Sequence, residues 1–271
     1  MKNKIGIGVI TCDRLNFFEK CIESVPEVDE LVIVNDGSKF PLKYPFILKA
    51  NKVIQNLTGR PHGVAVSKNK ALRHLISKEC DHIFLVEDDI IIKNPDICTK
   101  YIRAAEASGI WHLNYGLHGS YNRDEQGNPK VKNLIEYKPG TEVAFYHNIL
   151  GAFSYYLASI IKHVGYMDER YRNAYEHVDN TYRIIQKGLH PPFWFFADVA
   201  ESWNDIQDQT ENYEGSKIRN EKEWAKNYQD ALGLFQHKYG CIPQNIPQVG
   251  EDEALKILED IEKEYAKDIG I

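Results

Sequence analysis

The chain has 271 residues, of which 27% are charged and 43% belong to the hydrophobic set. These proportions are those of an ordinary globular protein and argue against a disordered or fibrous chain. The net charge of −6 at pH 7 argues against nucleic-acid binding through a general basic face, although it leaves room for a local basic groove.

Cysteine usage and the N-terminal sequence bear on the cellular compartment of the protein. The five cysteines form an odd set without a CxxC pair or zinc-like spacing, which favours reduced thiols. The strand-like segment that follows residues 1–4 is too short for the apolar region of a secretory signal. Since no segment approaches the ~18 apolar residues of a membrane span, we expect a soluble, cytoplasmic protein with no membrane span.

The first hundred residues alternate between strand and helix patterns. Apolar runs at 5–10 and 31–34 predict two strands, and residues 52–54 predict a third, weaker one. Residues 64–76 predict a helix, because their apolar side chains fall on one helical face. Strands that alternate with crossover helices predict an α/β fold with a mostly parallel central sheet flanked by helices. Ligands of such sheets bind beyond the carboxyl ends of the strands.

Residues 82–92 form an apolar run that three consecutive acids, Glu87, Asp88 and Asp89, interrupt. Three carboxylates cannot all be buried unpaired, so we expect a strand to end at Val86 and to place them at the edge of the sheet. An acidic turn between two strands would produce the same pattern. Polar residues also follow the first two strands, namely Thr11, Asp13, Arg14 and Asp36. This convergence favours a site in which a divalent cation offsets the repulsion between carboxylates.

Five motifs follow one another along the chain, at residues 9–14, 32–38, 63–69, 87–89 and 164–183. Each motif alone is weak, but in this order they resemble a family 2 type glycosyltransferase of the GT-A fold, over roughly residues 5 to 200. The resemblance implies a GT-A catalytic domain at 1–203, with a nucleotide-binding half at about 1–100 and an acceptor half at about 101–203. Residues 204–271 leave the family pattern and predict a helical C-terminal extension.

The resemblance also implies a reaction. A sugar would pass from a nucleoside-diphosphate sugar, with UDP the expected nucleotide, to a hydroxyl of a glycan or other acceptor, with inversion. Mn²⁺ or Mg²⁺ would be held mainly by Asp89, with Glu87 or Asp88 assisting. The donor-binding residues implied by the resemblance are Thr11, Asp13, Arg14, Asp36, Lys68, Glu87, Asp88 and Gly151.

Simpler roles exist for several of these donor-binding candidates. Asp36 opens an Asp-Gly-Ser sequence that is common in turns. Asp13 could cap the helix that follows it, and Arg14 could pair with the acidic triplet instead of a phosphate. Lys68 could be a solvated lysine on a helix face.

The motif around Glu176, His177 and Asp179 provides the candidates for catalysis. An inverting transferase needs a base that takes the proton of the acceptor hydroxyl. The resemblance implies that this base is the Asp of an ED pair, but the sequence has His177 at that position. All three residues therefore remain candidates, and an acid-rich first turn of a helix would explain the motif without catalysis. Arg183, one turn after Asp179, is expected to anchor the helix through an ion pair.

Three further regions are less informative. The aromatic and histidine-containing segment 110–121 suits either sugar recognition or a core edge, and 122–132 is hairpin-like. The resemblance implies a third metal ligand after the base helix, frequently a His; residues 193–203 have none, which leaves His190 before them or Glu201 or Asp205 as candidates. In the extension, 224–235 and 254–269 predict helices that pack on the catalytic domain or on another subunit, which would give a homo-oligomer.

Two other functions fit a fold of this kind. A sugar nucleotidyltransferase should carry a Gly-rich basic loop after the first strand, whereas Thr11-Cys12-Asp13-Arg14 is not Gly-rich. A non-catalytic nucleotide-binding or sugar-binding module would bind its ligand without consuming a donor.

Overall fold

The computed structural model describes residues 3–39, 41–209 and 222–266. The strands are β1 (Ile5–Thr11), β2 (Glu30–Asp36), β3 (Lys52–Asn56), β4 (His82–Glu87), β5 (Ile90–Ile92), β6 (His112–Asn114), β7 (Asn133–Lys138), β8 (Thr141–Tyr146), β9 (Phe153–Leu157), β10 (Phe196–Val199) and β11 (Ile206–Asp208). The α-helices are α1 (Leu15–Ser24), α2 (Val64–Ser77), α3 (Ile97–Ser108), α4 (Ala158–Val164), α5 (Glu176–Ile185), α6 (Trp224–Tyr239) and α7 (Glu251–Tyr265). Short 3₁₀ turns lie at Phe46–Lys49, Ser202–Asn204 and Pro243–Asn245.

The central sheet has six strands in the order β3-β2-β1-β4-β9-β6. Its first four strands are parallel, and β9 runs antiparallel to both β4 and β6. The parallel strands β1, β2 and β4 are apolar and buried along nearly their whole length, as expected for strands covered on both faces. The predicted strands and the mostly parallel sheet are confirmed.

Helix α2 packs closely on β1 because β1 carries glycine at the contact. A Cβ atom at Gly8 would lie 2.7 Å from the Cβ of Ala71. The predicted helix at 64–76 is thus confirmed, with its small apolar residues directed at the sheet. This packing fixes the N-terminal half of α2 beside the carboxyl ends of β1 and β2.

The acidic triplet lies in a tight turn between β4 and β5. Strand β4 ends at Glu87, one residue later than expected, and Asp88 and Asp89 form the turn before Ile90. β5 then pairs with β11, outside the central sheet. Both the strand end and the acidic turn that the sequence allowed are therefore present.

A three-stranded antiparallel sheet, β10-β8-β7, lies beside the central sheet. Within the predicted hairpin at 122–132, Arg123 and Pro129 form an isolated antiparallel bridge. Because β9 is antiparallel to β4, the residues just before β9 lie beside the carboxyl end of β4. The antiparallel part of the fold thereby brings Gly151 and Ala152 to the acidic triplet.

The C-terminal segment packs on the remainder of the chain. It begins with β11, whose pairing with β5 crosses the predicted boundary at residue 203, and that boundary stays a prediction. Helix α6 buries Ala231 and Phe235, and α7 buries Ala254, Leu258 and Ile261. These side chains join the chain's own apolar clusters, so the packing gives no support to an oligomer through α6 and α7. The predicted last residues of α7, 267–269, lie outside the described part of the chain.

Helix length also bears on membrane insertion. Across the described residues, none of the helices combines the length and the apolar character that crossing a membrane requires.

Candidate active site

A cavity of about 750 Å³ opens at the carboxyl ends of β1, β2 and β4. This is the edge at which parallel α/β sheets bind ligands. Nine of the predicted site residues line it: Thr11, Arg14, Asp36, Glu87, Asp88, Asp89, Gly151, Glu176 and His177. Asp13, Lys68 and Asp179 are not among its lining residues.

Arg14 holds two members of the acidic triplet together. Its guanidinium hydrogen-bonds the carboxylate of Asp88 and donates from Nη2 to Asp89 Oδ2 at 3.0 Å. Thr11 Oγ1 donates a further bond of 2.7 Å to Asp88 Oδ2. Burial opposes the charged form of Arg14, but Asp88 and Asp89 outweigh it and raise the pKa of the guanidinium. Arg14 therefore pairs with the acidic triplet, which was the alternative to a phosphate contact that the sequence left open.

Asp89 retains one unsatisfied oxygen in this arrangement. Asp89 as a whole is only 5% exposed. Its Oδ1 is buried and has no hydrogen-bond partner in the described part of the chain. A buried carboxylate oxygen without a partner is costly. Asp89 thus lines the cavity with one carboxylate oxygen whose hydrogen-bonding capacity is unused among the described residues.

Lys68 joins the acidic triplet to the second motif. Its Nζ lies 2.7 Å from Glu87 Oε1 and 3.4 Å from Glu176 Oε1, and it donates to the carbonyl oxygen of Gly151 at 2.9 Å. Burial opposes the ammonium form, but the two carboxylates outweigh it and raise the pKa of Lys68. The lysine is 1% exposed, so it is not the solvated helix residue that the sequence allowed.

Glu176 and His177 form a pair at the start of α5. Glu176 Oε1 lies 3.1 Å from His177 Nδ1. Burial alone would raise the pKa of Glu176, but His177 and Lys68 lower it to about 2. The imidazole packs against Gly151, where an added Cβ atom would lie 2.9 Å from the ring. Glycine at position 151 thus leaves the space that the His177 ring occupies.

Asp179 contacts α6 and is not among the residues that line the cavity. Its carboxylate is fully buried and accepts hydrogen bonds from Arg183 Nε, Lys238 Nζ and the Tyr239 hydroxyl, at 3.1, 2.5 and 2.8 Å. The expected anchoring role of Arg183 is confirmed. The expectation that Asp179 belongs to the catalytic group does not fit this geometry, because its oxygens bind α5 to α6 away from the cavity lining.

Asp36, at the end of β2, is hydrogen-bonded by residues of β3, of the segment before α2 and of α2 itself. It accepts from the backbone N–H of His62 at 2.6 Å and from Asn56 Nδ2 and Lys70 Nζ, both at 3.2 Å. The His62 ring nitrogen Nδ1 lies 2.7 Å from its Oδ1. Burial would raise the pKa of Asp36, but the bonds from His62 and Asn56 lower it to about 2. Asp36 is therefore ionised at the cavity wall.

Asp13 faces the neighbouring loop. Its Oδ1 accepts the backbone N–H of Lys39 at 2.7 Å, and α1 has no side-chain cap. The helix-capping alternative for Asp13 is wrong, since the side chain bonds across to the loop after β2. Its predicted contact with the donor stays a prediction.

The structure adds His118 to the site, on the segment after β6. Its Nδ1 lies 3.1 Å from Asp208 Oδ2, and its side chain lines the cavity beside Asp89. Burial would lower the pKa of His118, but Asp89 and Asp208 raise it to about 9. The sequence signal was the aromatic segment 110–121, in which nothing distinguished this histidine. His190, Glu201 and Asp205, the candidates for a third metal ligand, do not line the cavity.

The far side of the cavity is aromatic, and the sequence did not predict it. Tyr175 and Trp194 line it from the segments before α5 and β10, and Trp224 and Tyr228 line it from α6. Because up to about fifty residues separate these four aromatic side chains in sequence, the grouping becomes visible only from the packing of α6.

No protein-family model and no curated protein sequence matches the chain. Its structure, in contrast, is similar to solved structures. Residues 1–349 of S. aureus TarS share 16% identity with it at a TM-score of 0.50, over 97% of this chain and 82% of that one. The same TarS fragment in complex with UDP has 16% identity and a TM-score of 0.48, over 95% of this chain and 80% of that one.

A third similar structure comes from Mycobacterium tuberculosis. Its glucosyl-3-phosphoglycerate synthase, in complex with Mn²⁺, UDP and glucosyl-3-phosphoglycerate, has 13% identity and a TM-score of 0.48, over 92% of this chain and 82% of that one. Identities this low concern the fold alone. The strand order and the match to TarS 1–349 show that the chain has the GT-A fold that its motifs predict.

Proposed function

We propose that the protein is a glycosyltransferase that moves a sugar from a nucleoside-diphosphate sugar to an acceptor hydroxyl, with inversion and with UDP as the expected nucleotide. The observation that carries the proposal is that one cavity is lined by both the acidic triplet and the pair Glu176–His177. A single buried ammonium, that of Lys68, contacts carboxylates of both groups. The GT-A fold supports the same reading.

The acidic triplet has the oxygen donors that Mn²⁺ or Mg²⁺ prefers. In the described residues, no three His, Cys, Asp or Glu side chains form a metal cage. That suits Mg²⁺, which is commonly held by one or two carboxylates together with substrate phosphates. Asp89 would be the main ligand through its unpaired Oδ1, with Glu87 assisting. The bound cation would act as a Lewis acid on the departing diphosphate.

Other residues would bind the donor. Arg14 is paired with Asp88 and Asp89, and a cation bound by these carboxylates would free its guanidinium for the diphosphate. Asp36 would accept an N–H of the nucleobase. Its backbone partners would remain, whereas the His62 side chain, 55% exposed, would give way to the base.

His177 is our candidate for the general base, with Glu176 as the residue that orients it. A carboxylate with a pKa of about 2 is a poor proton acceptor at neutral pH. The imidazole lines the cavity, and Glu176 beside Nδ1 favours the tautomer in which Nδ1 carries the proton. Nε2 would then accept the proton of the acceptor hydroxyl.

Nucleotide binding can be tested by thermal unfolding with UDP, GDP, ADP and CDP, each with and without Mn²⁺. A ligand that binds only the folded state raises the melting temperature, by roughly 5 °C at a hundred times its Kd. We expect UDP with Mn²⁺ to give such a shift and the Asp89→Ala protein to lose the part that depends on Mn²⁺. Asp96→Ala, an exposed acid outside the cavity, should keep the whole shift. An equal shift with and without Mn²⁺ would contradict the metal role of Asp89.

A further inference from the structure

The cavity divides into two halves of different chemistry. Its Arg, Asp and Glu lining residues all lie at or just after the strand ends or at the start of α5, and they are Arg14, Asp36, Glu87, Asp88, Asp89 and Glu176. We call the opposite part the aromatic half and define it by six lining residues: Tyr175, Trp194, Trp224, Tyr228, Gln244 and Gln248. None of these six side chains is a Lys, Arg, Asp or Glu.

The C-terminal segment builds most of the aromatic half. Trp224 and Tyr228 lie one turn apart on α6 and therefore on the same face, with ring centroids 5.8 Å apart. Gln244 Nε2 donates to the Tyr175 hydroxyl at 2.8 Å, and the Tyr175 and Tyr228 hydroxyls lie 2.9 Å apart. These bonds fix the ring of Tyr175 between α6 and the start of α5.

Contacts with the C-terminal segment also fix the ring of Trp194. Its Nε1 donates to the carbonyl oxygen of Ile246 at 2.8 Å, and its ring stacks on His147 with centroids 4.4 Å apart. Both Trp194 and Tyr175 have positive φ, +75° and +63°, which is unfavourable for bulky side chains. Backbone strain of this kind concentrates at binding sites, where the surrounding structure maintains it.

We propose that the aromatic half is the acceptor subsite and that it binds an uncharged sugar unit of an acceptor glycan. A pyranose ring offers an apolar face for stacking on aromatic rings, and its hydroxyls suit the amides of Gln244 and Gln248. Polyanionic acceptors need Lys or Arg beside their phosphates, and none of the six residues that define this half is one. Tyr175 immediately precedes Glu176 and His177, so a sugar in this half would present a hydroxyl to the proposed base. The inference rests on the proposed transfer reaction.

The test is a glycan array probed with the full-length protein in the presence of UDP and Mn²⁺. The array carries neutral oligosaccharides, sulfated and phosphorylated glycans, and polyol-phosphate polymers. We expect binding to neutral oligosaccharides, and about a tenfold or greater rise in Kd for the best of them in Trp224→Ala and Tyr228→Ala. Tyr166→Ala, at an exposed aromatic outside the cavity, should bind as the wild type does.

Failure of this inference differs from failure of the proposed function. The UDP-dependent rise in melting temperature shows for each variant that it folds and binds the nucleotide, and its absence in the wild type would count against the transferase itself. With that shift present, binding only to anionic glycans, binding to none, or neutral binding unchanged in both α6 variants would each overturn the aromatic half as a neutral-sugar subsite.

Discussion

Gly151 shows how a single missing side chain shapes the candidate active site. Its carbonyl oxygen accepts a hydrogen bond from Lys68, and its Cα faces the His177 imidazole. An added Cβ would lie 2.9 to 3.1 Å from three atoms of His177. The position of the proposed base therefore depends on glycine for space, not for backbone conformation.

We expect Gly151→Ala to displace the His177 ring and to lower the turnover of donor sugar by about 10²-fold, since small misplacements of catalytic groups cost that much. Binding of UDP should persist, because the bond from Lys68 to the carbonyl oxygen of residue 151 does not depend on the side chain there. The measurement is the rate of UDP release from a UDP-sugar at saturating donor. Gly233→Ala, where a Cβ has open space on α6, is the matched control. Wild-type turnover in Gly151→Ala would remove His177 from the role of base.

At the scale of single residues, the sequence predicts which side chains lie together at the cavity, but not which hydrogen bonds and ion pairs they form. The acids after β4 and the polar residues after β1 and β2 could be predicted, because carboxyl ends of parallel strands share one edge. The burial of Lys68 between Glu87 and Glu176 could not. It depends on α2 and α5 lying side by side, more than one hundred residues apart in sequence.

The elements packed around α5 explain why its two acids, Glu176 and Asp179, have different partners. Periodicity predicts that Glu176 and Asp179 share a helix face, but α5 lies at a junction between the cavity and α6. Glu176 meets Lys68, whereas Asp179 meets Lys238 and Tyr239. A spacing rule identifies the face but not which neighbour each residue meets, so the assignment of Asp179 required the packing of α6.

Two buried histidines lie where β6, α5 and the segment before β10 meet. His112 Nδ1 lies 2.9 Å from the carbonyl oxygen of Tyr155, and its Nε2 lies 2.8 Å from Thr181 Oγ1. The rings of His112 and His190 are 5.6 Å apart. Burial lowers the pKa of His112 to about 3 and that of His190 to about 4. Both rings are therefore neutral in the folded protein at pH values where the unfolded chain takes up protons.

The fold should lose stability as the pH falls below about 6.5, the ordinary histidine pKa. Above that pH neither state binds these protons, and the two histidines no longer lower the free energy of unfolding. Between about 6.5 and 4 only the unfolded state binds them, so the free energy of unfolding drops by up to ~1.4 kcal/mol per pH unit for each histidine. Urea unfolding from pH 7 to 4.5 measures this slope. His190→Phe should lower the slope by up to ~1.4 kcal/mol per pH unit, and His237→Phe, on the exposed face of α6, should leave it unchanged.

At the scale of the whole molecule, the parallel half of the fold was predictable and the antiparallel half was not. Strands β1, β2 and β4 are long apolar runs whose burial on both faces leaves a clear signal. β6 and β9 have three and five residues, too few to separate from buried helix by pattern. The C-terminal segment was predicted to be helical, but nothing in its sequence indicated that it completes the cavity.

The central claim concerns transfer from a nucleotide sugar, and product analysis tests it most directly. The full-length protein is incubated with UDP-sugars, neutral oligosaccharides and Mn²⁺ or Mg²⁺, and with UTP plus sugar phosphates in parallel, and the released UDP and pyrophosphate are measured. We predict UDP release that requires the divalent cation, disappears in Asp89→Ala and is accompanied by a product of inverted anomeric configuration. Release of pyrophosphate from UTP without UDP release from any UDP-sugar would contradict the account and favour a nucleotidyltransferase.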